Sequence, residues 1–203
     1  NVRRFLLTSS GAIYGPQPDS LDKIPEDYLG RPDALLPSSA YGLGKSGAEH
    51  LCCLYRDKYD FQMVIARCFA FVGQDLPLTA HFAIGNFIND ALYSREITVA
   101  GDGTQKRSYM NQSDLAQWLL CLLDNGVAGS AYNVGSDQGI SISDLAYLVR
   151  DVLSPEKPVV IQRKKDNSQN RNFYIPDIDK AKTDLNLKLT VPLYKSIEEF
   201  VRK

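Results

Sequence analysis

Only two histidines and four cysteines occur among the 203 residues, and neither set is spaced to hold anything. His50 and His81 lie far apart, and Cys52, Cys53, Cys68 and Cys121 show no paired metal-ligand spacing and no disulfide framework. No metal site is expected on that basis. The adjacent Cys52 and Cys53 fall in a helical pattern and read as buried thiols of a reducing, cytoplasmic setting. Charge of one sign is lacking too. Lys and Arg total 23 against 24 for Asp and Glu, a formal net charge of -1, so nothing draws the chain to nucleic acid or to an anionic membrane. The one short basic run, Arg163-Lys164-Lys165, reads as a solvated edge. No apolar stretch approaches the ~20 residues of a membrane helix, and the short run after Asn1-Val-Arg-Arg does not read as a signal peptide. Internal repeats and low-complexity segments are missing as well. What remains is 44% hydrophobic, enough for a compact unit with a buried core.

The hydrophobic pattern alternates between strand and helix. Arg4-Phe-Leu-Leu-Thr-Ser-Ser reads as a buried parallel strand that delivers Ser9 and Ser10 at its carboxyl end. A Pro- and Asp-rich loop follows from Pro16 to Pro37, and Ser38-Ser39 offers a helix N-cap. The spacing predicts a helix from Tyr41 to about Tyr59, with Ala48, Leu51, Cys52, Tyr55 and Tyr59 on one stripe. Met63 to Phe69 is a second buried strand, and a loop runs from Gly73 to Thr79. Phe82 to Tyr93 reads as a helix with Ile84, Phe87, Ile88, Ala91 and Leu92 inward, and Ile97 to Ala100 as a strand closed by Gly101-Asp102-Gly103. Helices are expected at Asp114–Leu123, Ser143–Leu153 (capped by Ser141 or Ser143), Asp179–Leu185 and Ser196–Arg202, and strands at Ala131–Gly135 and Val159–Gln162. Alternation of this kind is the α/β class, in which ligands gather at the carboxyl ends of parallel strands.

Chemistry enters at Tyr41-Gly-Leu-Gly-Lys45. Tyr41 alone of the 11 tyrosines is followed by a lysine four residues on. That spacing puts both side chains on one helical face, a turn apart. An ammonium beside a phenol favours phenolate, so Tyr41 can exchange a proton with a substrate hydroxyl near neutral pH. Ser10, at a strand end, is placed to hydrogen-bond the same oxygen. Hydride movement between that carbon and a nicotinamide would complete an alcohol/ketone interconversion. Gly42-Leu-Gly44-Lys-Ser-Gly47 also spells G-x-G-x-x-G and imitates the end of a P-loop. Both motifs need a strand immediately upstream, and Leu36-Pro-Ser-Ser-Ala is not one.

Thr8-Ser-Ser-Gly-Ala-Ile-Tyr-Gly15 with Tyr41-x-x-x-Lys45 resembles the extended short-chain dehydrogenase/reductases, specifically their NAD-dependent nucleotide-sugar epimerases and dehydratases. Further segments resemble the same family in the same order: Arg67-Cys-Phe-Ala-Phe-Val-Gly73, Gly85-Asn86-Phe-Ile, Gly101-Asp-Gly-Thr-Gln-Lys-Arg107-Ser-Tyr, and Tyr132-Asn-Val-Gly-Ser136 followed by Ser141-Ile-Ser-Asp-Leu145. The resemblance implies a partial Rossmann-like parallel sheet, the C-terminal half, with a small α/β substrate-binding domain. It implies a division at 1–73 and 74–203, with strand-helix returns to the sheet near 108–136. It implies Ser10, Tyr41 and Lys45 as catalytic residues. Ser9, Tyr41, Lys45 and Phe69 would contact NAD or NADP, and Ser10, Asn86, Arg107 and Arg171 a nucleoside-diphosphate sugar. A homo-oligomer is a further expectation, because relatives often dimerise through the Tyr41-type helix.

Departures from the family pattern are Ala70, Val72 and Gln74 in the Arg67 segment, and Asn111-Gln-Ser-Asp114 in place of Y-V-D-D. The largest is that the glycine-rich cofactor fingerprint, which sits in an N-terminal βαβ unit, does not precede Asn1. The expectation is therefore a fragment of a longer enzyme, inactive alone, with an exposed sheet edge. Gly11-Ala12 supplies no carboxylate after Ser10, which favours an epimerase or keto-reductase over a 4,6-dehydratase or decarboxylase. The alternative of another class is a non-catalytic nucleotide-sugar-binding module.

Overall fold

The computed structural model describes residues 2–59, 61–78, 82–163 and 171–202. His81, Thr79 and the Lys164-Lys165 part of the basic run lie outside the described residues. In chain order the elements are β1 (Arg4–Ser10), α1 (Ala40–Tyr59), β2 (Gln62–Cys68), β3 (Phe71–Val72), α2 (Ala83–Tyr93), β4 (Ile97–Val99), β5 (Lys106–Arg107) and β6 (Met110–Asn111). There follow α3 (Gln112–Asn125), β7 (Ala131–Val134), β8 (Ile140–Ser141), α4 (Ile142–Leu153), β9 (Val159–Ile161), β10 (Phe173–Tyr174), α5 (Asp179–Leu185) and α6 (Leu193–Glu198). Short 3-10 turns stand at Gly11–Tyr14, Pro37–Ser39 and Glu199–Arg202. The fold class is α/β, as the alternating pattern predicts.

The main sheet is parallel, in the order β1-β2-β7. Its register sets Ser9 beside Arg67 and Ser10 beside Cys68, so the motif-bearing ends of β1 and β2 lie side by side. Val64, Ala66, Tyr132 and Val134 pack one face against Met110, Trp118, Leu122, Ile178 and Ala181. A second core joins α2 and α4 around β4, with Ile84, Phe87, Ile88 and Ala91 buried at the i, i+3, i+4, i+7 spacing read from the sequence. Each such side chain contributes roughly 1.5–3 kcal/mol of burial. Among the described residues no helix is long and apolar enough to cross a membrane.

Local chemistry fixes the element ends. Asn111 accepts from the Ser113 N–H at 2.7 Å and starts α3 earlier than Asp114, while Ser141 rather than Ser143 caps α4, accepting from Asp144 N at 3.0 Å. Ser38-Ser39 do not cap α1: they form a 3-10 turn that runs into it. The last helix begins at Leu193, not Ser196. Asp114, fully buried, accepts from the backbone N–H groups of Thr190 at 2.9 Å and Val191 at 3.1 Å, which ties the C-terminal segment to α3.

Two expectations about burial are corrected. Leu51, Tyr55 and Tyr59, read as one face of the helix, stand 57–58% exposed. With Val2, Phe5, Ala48, Cys52 and Phe61 they line an apolar groove of about 600 Å³ between α1 and β1. The residues α1 does bury are Gly42 and Glu49, because β1 is the sheet's last strand on that side among the described residues. The four cysteines are free and half-buried rather than core thiols. Burial still pushes the Cys68 thiol up to about 11.

Candidate active site

The carboxyl end of β1 is shaped by its own side chains. The Ser10 hydroxyl accepts from the Ala12 N–H at 3.2 Å and turns the chain into the 3-10 segment that follows. Residues 9 and 10 point to opposite faces, as strand geometry requires. The Ser9 hydroxyl donates to Glu49 Oε1 at 2.5 Å and is 2% exposed. Glu49 pairs with Arg67, whose Nη2 meets Oε2 at 2.9 Å. Arg67 Nη1 reaches the Tyr14 hydroxyl at 2.8 Å, and Tyr14 donates to Asn133 Oδ1 at 2.8 Å. Burial pushes the Tyr14 phenol up to about 12, against the opposing pull of Arg67. Burial also raises the Glu26 carboxyl, which accepts from the Asn133 N–H at 2.8 Å. This network beneath the strand ends joins α1, β1, β2 and β7.

Tyr41 and Lys45 open α1 directly above. A Cβ on Gly42 would lie 2.5 Å from the Ala12 carbonyl oxygen, so a residue without a side chain lets the helix approach the turn after Ser10. Lys45 Nζ donates to the Thr8 carbonyl at 2.8 Å and lies 5.8 Å from the centre of the Tyr41 ring. Tyr41 is 61% exposed.

Phe69 stacks on Tyr174 with ring centres 4.6 Å apart and also packs near Tyr14, with ring centres 6.3 Å apart. Tyr174 interacts in turn with Ser10, Tyr41, Cys68 and Arg107. Arg107 and Arg171 meet with Tyr174 around a pocket of about 570 Å³, whose other residues include Gln17 and Asn172. Burial pulls the Arg107 guanidinium downward. It donates to Asn172 O at 2.8 Å and Asn172 Oδ1 at 3.0 Å, and among the described residues no carboxylate pairs with it. Arg171 is differently engaged: it donates to Asp22 Oδ1 at 2.8 Å and holds that carboxyl below its ordinary range.

Ser10, Tyr41, Lys45, Phe69, Arg107 and Arg171 thus cluster around the end of β1 and the pocket beside it. Ser9 lies in the buried network, and Asn86 is exposed in the first turn of α2, outside that pocket. Sequence reasoning passed over Glu49 and Tyr174. Glu49 had a signal, since it continues the Tyr41–Lys45 stripe by one more turn; Tyr174, in a two-residue strand, had none.

The model of the NAD dependent epimerase/dehydratase family matches residues 1–135. The chain belongs to this family. Among its curated relatives, UDP-glucuronic acid decarboxylase 1 of Arabidopsis thaliana is 31% identical over 98% of this chain and 44% of that protein. The enzyme of the same name from Danio rerio is 29% identical over 98% of this chain and 46% of its own length. This family member therefore spans about half the length of the curated relatives it matches, from 44% to 55%. A UDP-glucuronic acid 4-epimerase from Bacillus cereus, solved with NAD, superposes with a TM-score of 0.79 at 26% identity, covering 97% of this chain and 58% of that one. UDP-glucose 4-epimerase from Thermotoga maritima, solved with UDP-glucose, gives a TM-score of 0.86 at 22% identity over 100% of this chain and 63% of that one. That second likeness is one of fold.

Proposed function

We propose that this chain carries the acid/base and substrate-side machinery of an NAD(P)-dependent nucleotide-sugar epimerase or keto-reductase, in which residues 1–73 complete a Rossmann-like sheet and residues 74–203 mainly serve the sugar nucleotide. One observation carries the reading. Tyr41, Lys45 and Ser10 gather at the carboxyl end of β1, beside a half-buried arginine that has no carboxylate partner among the described residues. A desolvated cation of that kind favours a polyanion, and its forked donors suit a diphosphate.

The arrangement fits a nicotinamide cofactor. Lys45 Nζ and the exposed Tyr41 stand at the strand end where dinucleotides bind in open parallel sheets, and the Phe69 ring lines the same end. When bound, the cofactor supplies the hydride acceptor and donor. Tyr41 takes the proton of the sugar hydroxyl as its carbon is oxidised, and returns it on reduction. Lys45, anchored on the Thr8 carbonyl, keeps its positive charge beside the Tyr41 ring during that exchange. Ser10 helps orient the reacting oxygen, and Arg107 anchors the diphosphate. Asn86 would reach the substrate only if the nucleotide extends along α2.

Tyr41→Phe in the full-length protein should lower kcat by roughly 10²-fold or more on a productive sugar nucleotide, since it removes the proton-transfer group. Retention of the wild-type rate would instead support a non-catalytic binding module. The curated relatives favour a second reading, decarboxylation, whereas Gly11-Ala12 places no carboxylate after Ser10. Incubation with UDP-glucuronic acid and NAD, followed by mass analysis, separates the two. An unchanged mass in a new stereoisomer supports epimerisation, and loss of carbon dioxide overturns it.

A further inference from the structure

Tyr174 stands at the reacting end of β1 although no motif predicts it there. Its Cα is in register with Arg107 across β10 and β5, and its ring is held on Phe69 at an interplanar angle of 32°. The space it fills belongs to another residue's side chain. A Cβ on Gly11, directly after Ser10, would lie 2.6 Å from the Tyr174 hydroxyl oxygen and 2.6 Å from Phe69 Cζ. The volume beside the serine is thus occupied from β10, and position 11 must be left bare for it.

The Ala12 N–H donates to Ser10 Oγ, and the Ser10 side chain is hydrogen-bonded with the Tyr174 hydroxyl. Burial pushes this phenol well above its ordinary value despite the Ser10 hydrogen bond. It stays protonated through the neutral range, a donor and not a base.

We propose that Tyr174 is a positioning residue of the reacting centre, whose hydroxyl pairs with Ser10 and, in the space left open by Gly11, helps to hold the sugar oxygen. The proposal rests on the nucleotide-sugar oxidoreductase reading and sharpens it. A permanently neutral donor supports an oxygen that alternates between hydroxyl and carbonyl.

The test uses the full-length protein with NAD and, in turn, UDP-glucose and UDP-glucuronic acid. Tyr174→Phe keeps the ring and its stacking and removes only the hydroxyl. Its kcat should fall about tenfold at unchanged KM and unchanged melting temperature, the scale of one lost hydrogen bond. Ser10→Ala should cost a similar factor, and the double variant no more than the worse single one, because the two hydroxyls act in series. Wild-type kcat in Tyr174→Phe, or losses that multiply, would overturn the proposal. A thermal cycle needs no turnover: Gly11→Ala should lower the melting temperature, and by less in the Tyr174→Phe background. Equal penalties in both backgrounds would also overturn it. Full activity in Tyr41→Phe would sink the oxidoreductase reading instead and leave the thermal cycle standing.

Discussion

Glu49 holds three contacts with two oxygens: Ser9 and Arg67 Nε on Oε1, and Arg67 Nη2 on Oε2. The pair is largely shielded, with side-chain exposures of 11% for Glu49 and 16% for Arg67. Deleting one partner of such a pair leaves an uncompensated charge and costs roughly 3–5 kcal/mol. Glu49→Ala should therefore lower the melting temperature by roughly 6–20 °C for a chain of this length, measured by calorimetry. Glu49→Gln should recover part of that by accepting from the same donors. A loss under about 1 kcal/mol would mean that the network is relaxed in solution. The Ser9 hydroxyl is engaged here, so any cofactor contact at residue 9 falls to its backbone.

At the scale of elements, Asp137 gathers three segments. Lys182 of α5 donates to its Oδ2 at 2.8 Å and Lys23 of the long loop at 3.2 Å. Burial raises the Asp137 carboxyl, but the hydrogen bonds and charges of Lys182 and Lys23 outweigh it and hold the group below its ordinary value. A carboxyl depressed in the folded state stabilises fully above its unfolded value of about 3.9 and ceases to do so as pH falls through the lower folded one. Urea melts of the parent and Asp137→Asn should differ by a constant amount above about pH 5 and converge under acid conditions below the ordinary carboxylate range. A gap that stays open in strong acid would assign the effect to packing. The same loop meets the chain's end again at the Ile24–Pro176 bridge, which seats β10, and with it Tyr174, beside β5.

For the whole molecule, the outward face of α1 stands out as an exposed apolar surface. Leu51, Tyr55, Tyr59, Phe5 and Val2 form one continuous apolar surface along the edge strand. Exposed patches of this kind bind apolar dyes. Leu51→Glu combined with Tyr55→Glu should reduce fluorescence of the dye ANS by roughly half without loss of helix content by circular dichroism. Unchanged fluorescence would place the dye elsewhere. The helical period of α1 was plain in the sequence, and the direction its stripe faces was not. Period reports that residues share a face, whereas the rest of the sheet decides what lies opposite.

The sequence by itself determined the order of strands and helices, the α/β class and the Tyr41–Lys45 spacing, because those depend on neighbours a few residues apart. Family motifs likewise marked Ser10, Phe69 and Arg107, which lie in local segments of recognisable composition. Only the tertiary structure decided that Ser9 turns to Glu49 while Ser10 turns to Tyr174, and that Gly11 is bare because a residue 163 positions later fills its place. Those contacts join segments distant in sequence, and no local periodicity encodes which of them will meet.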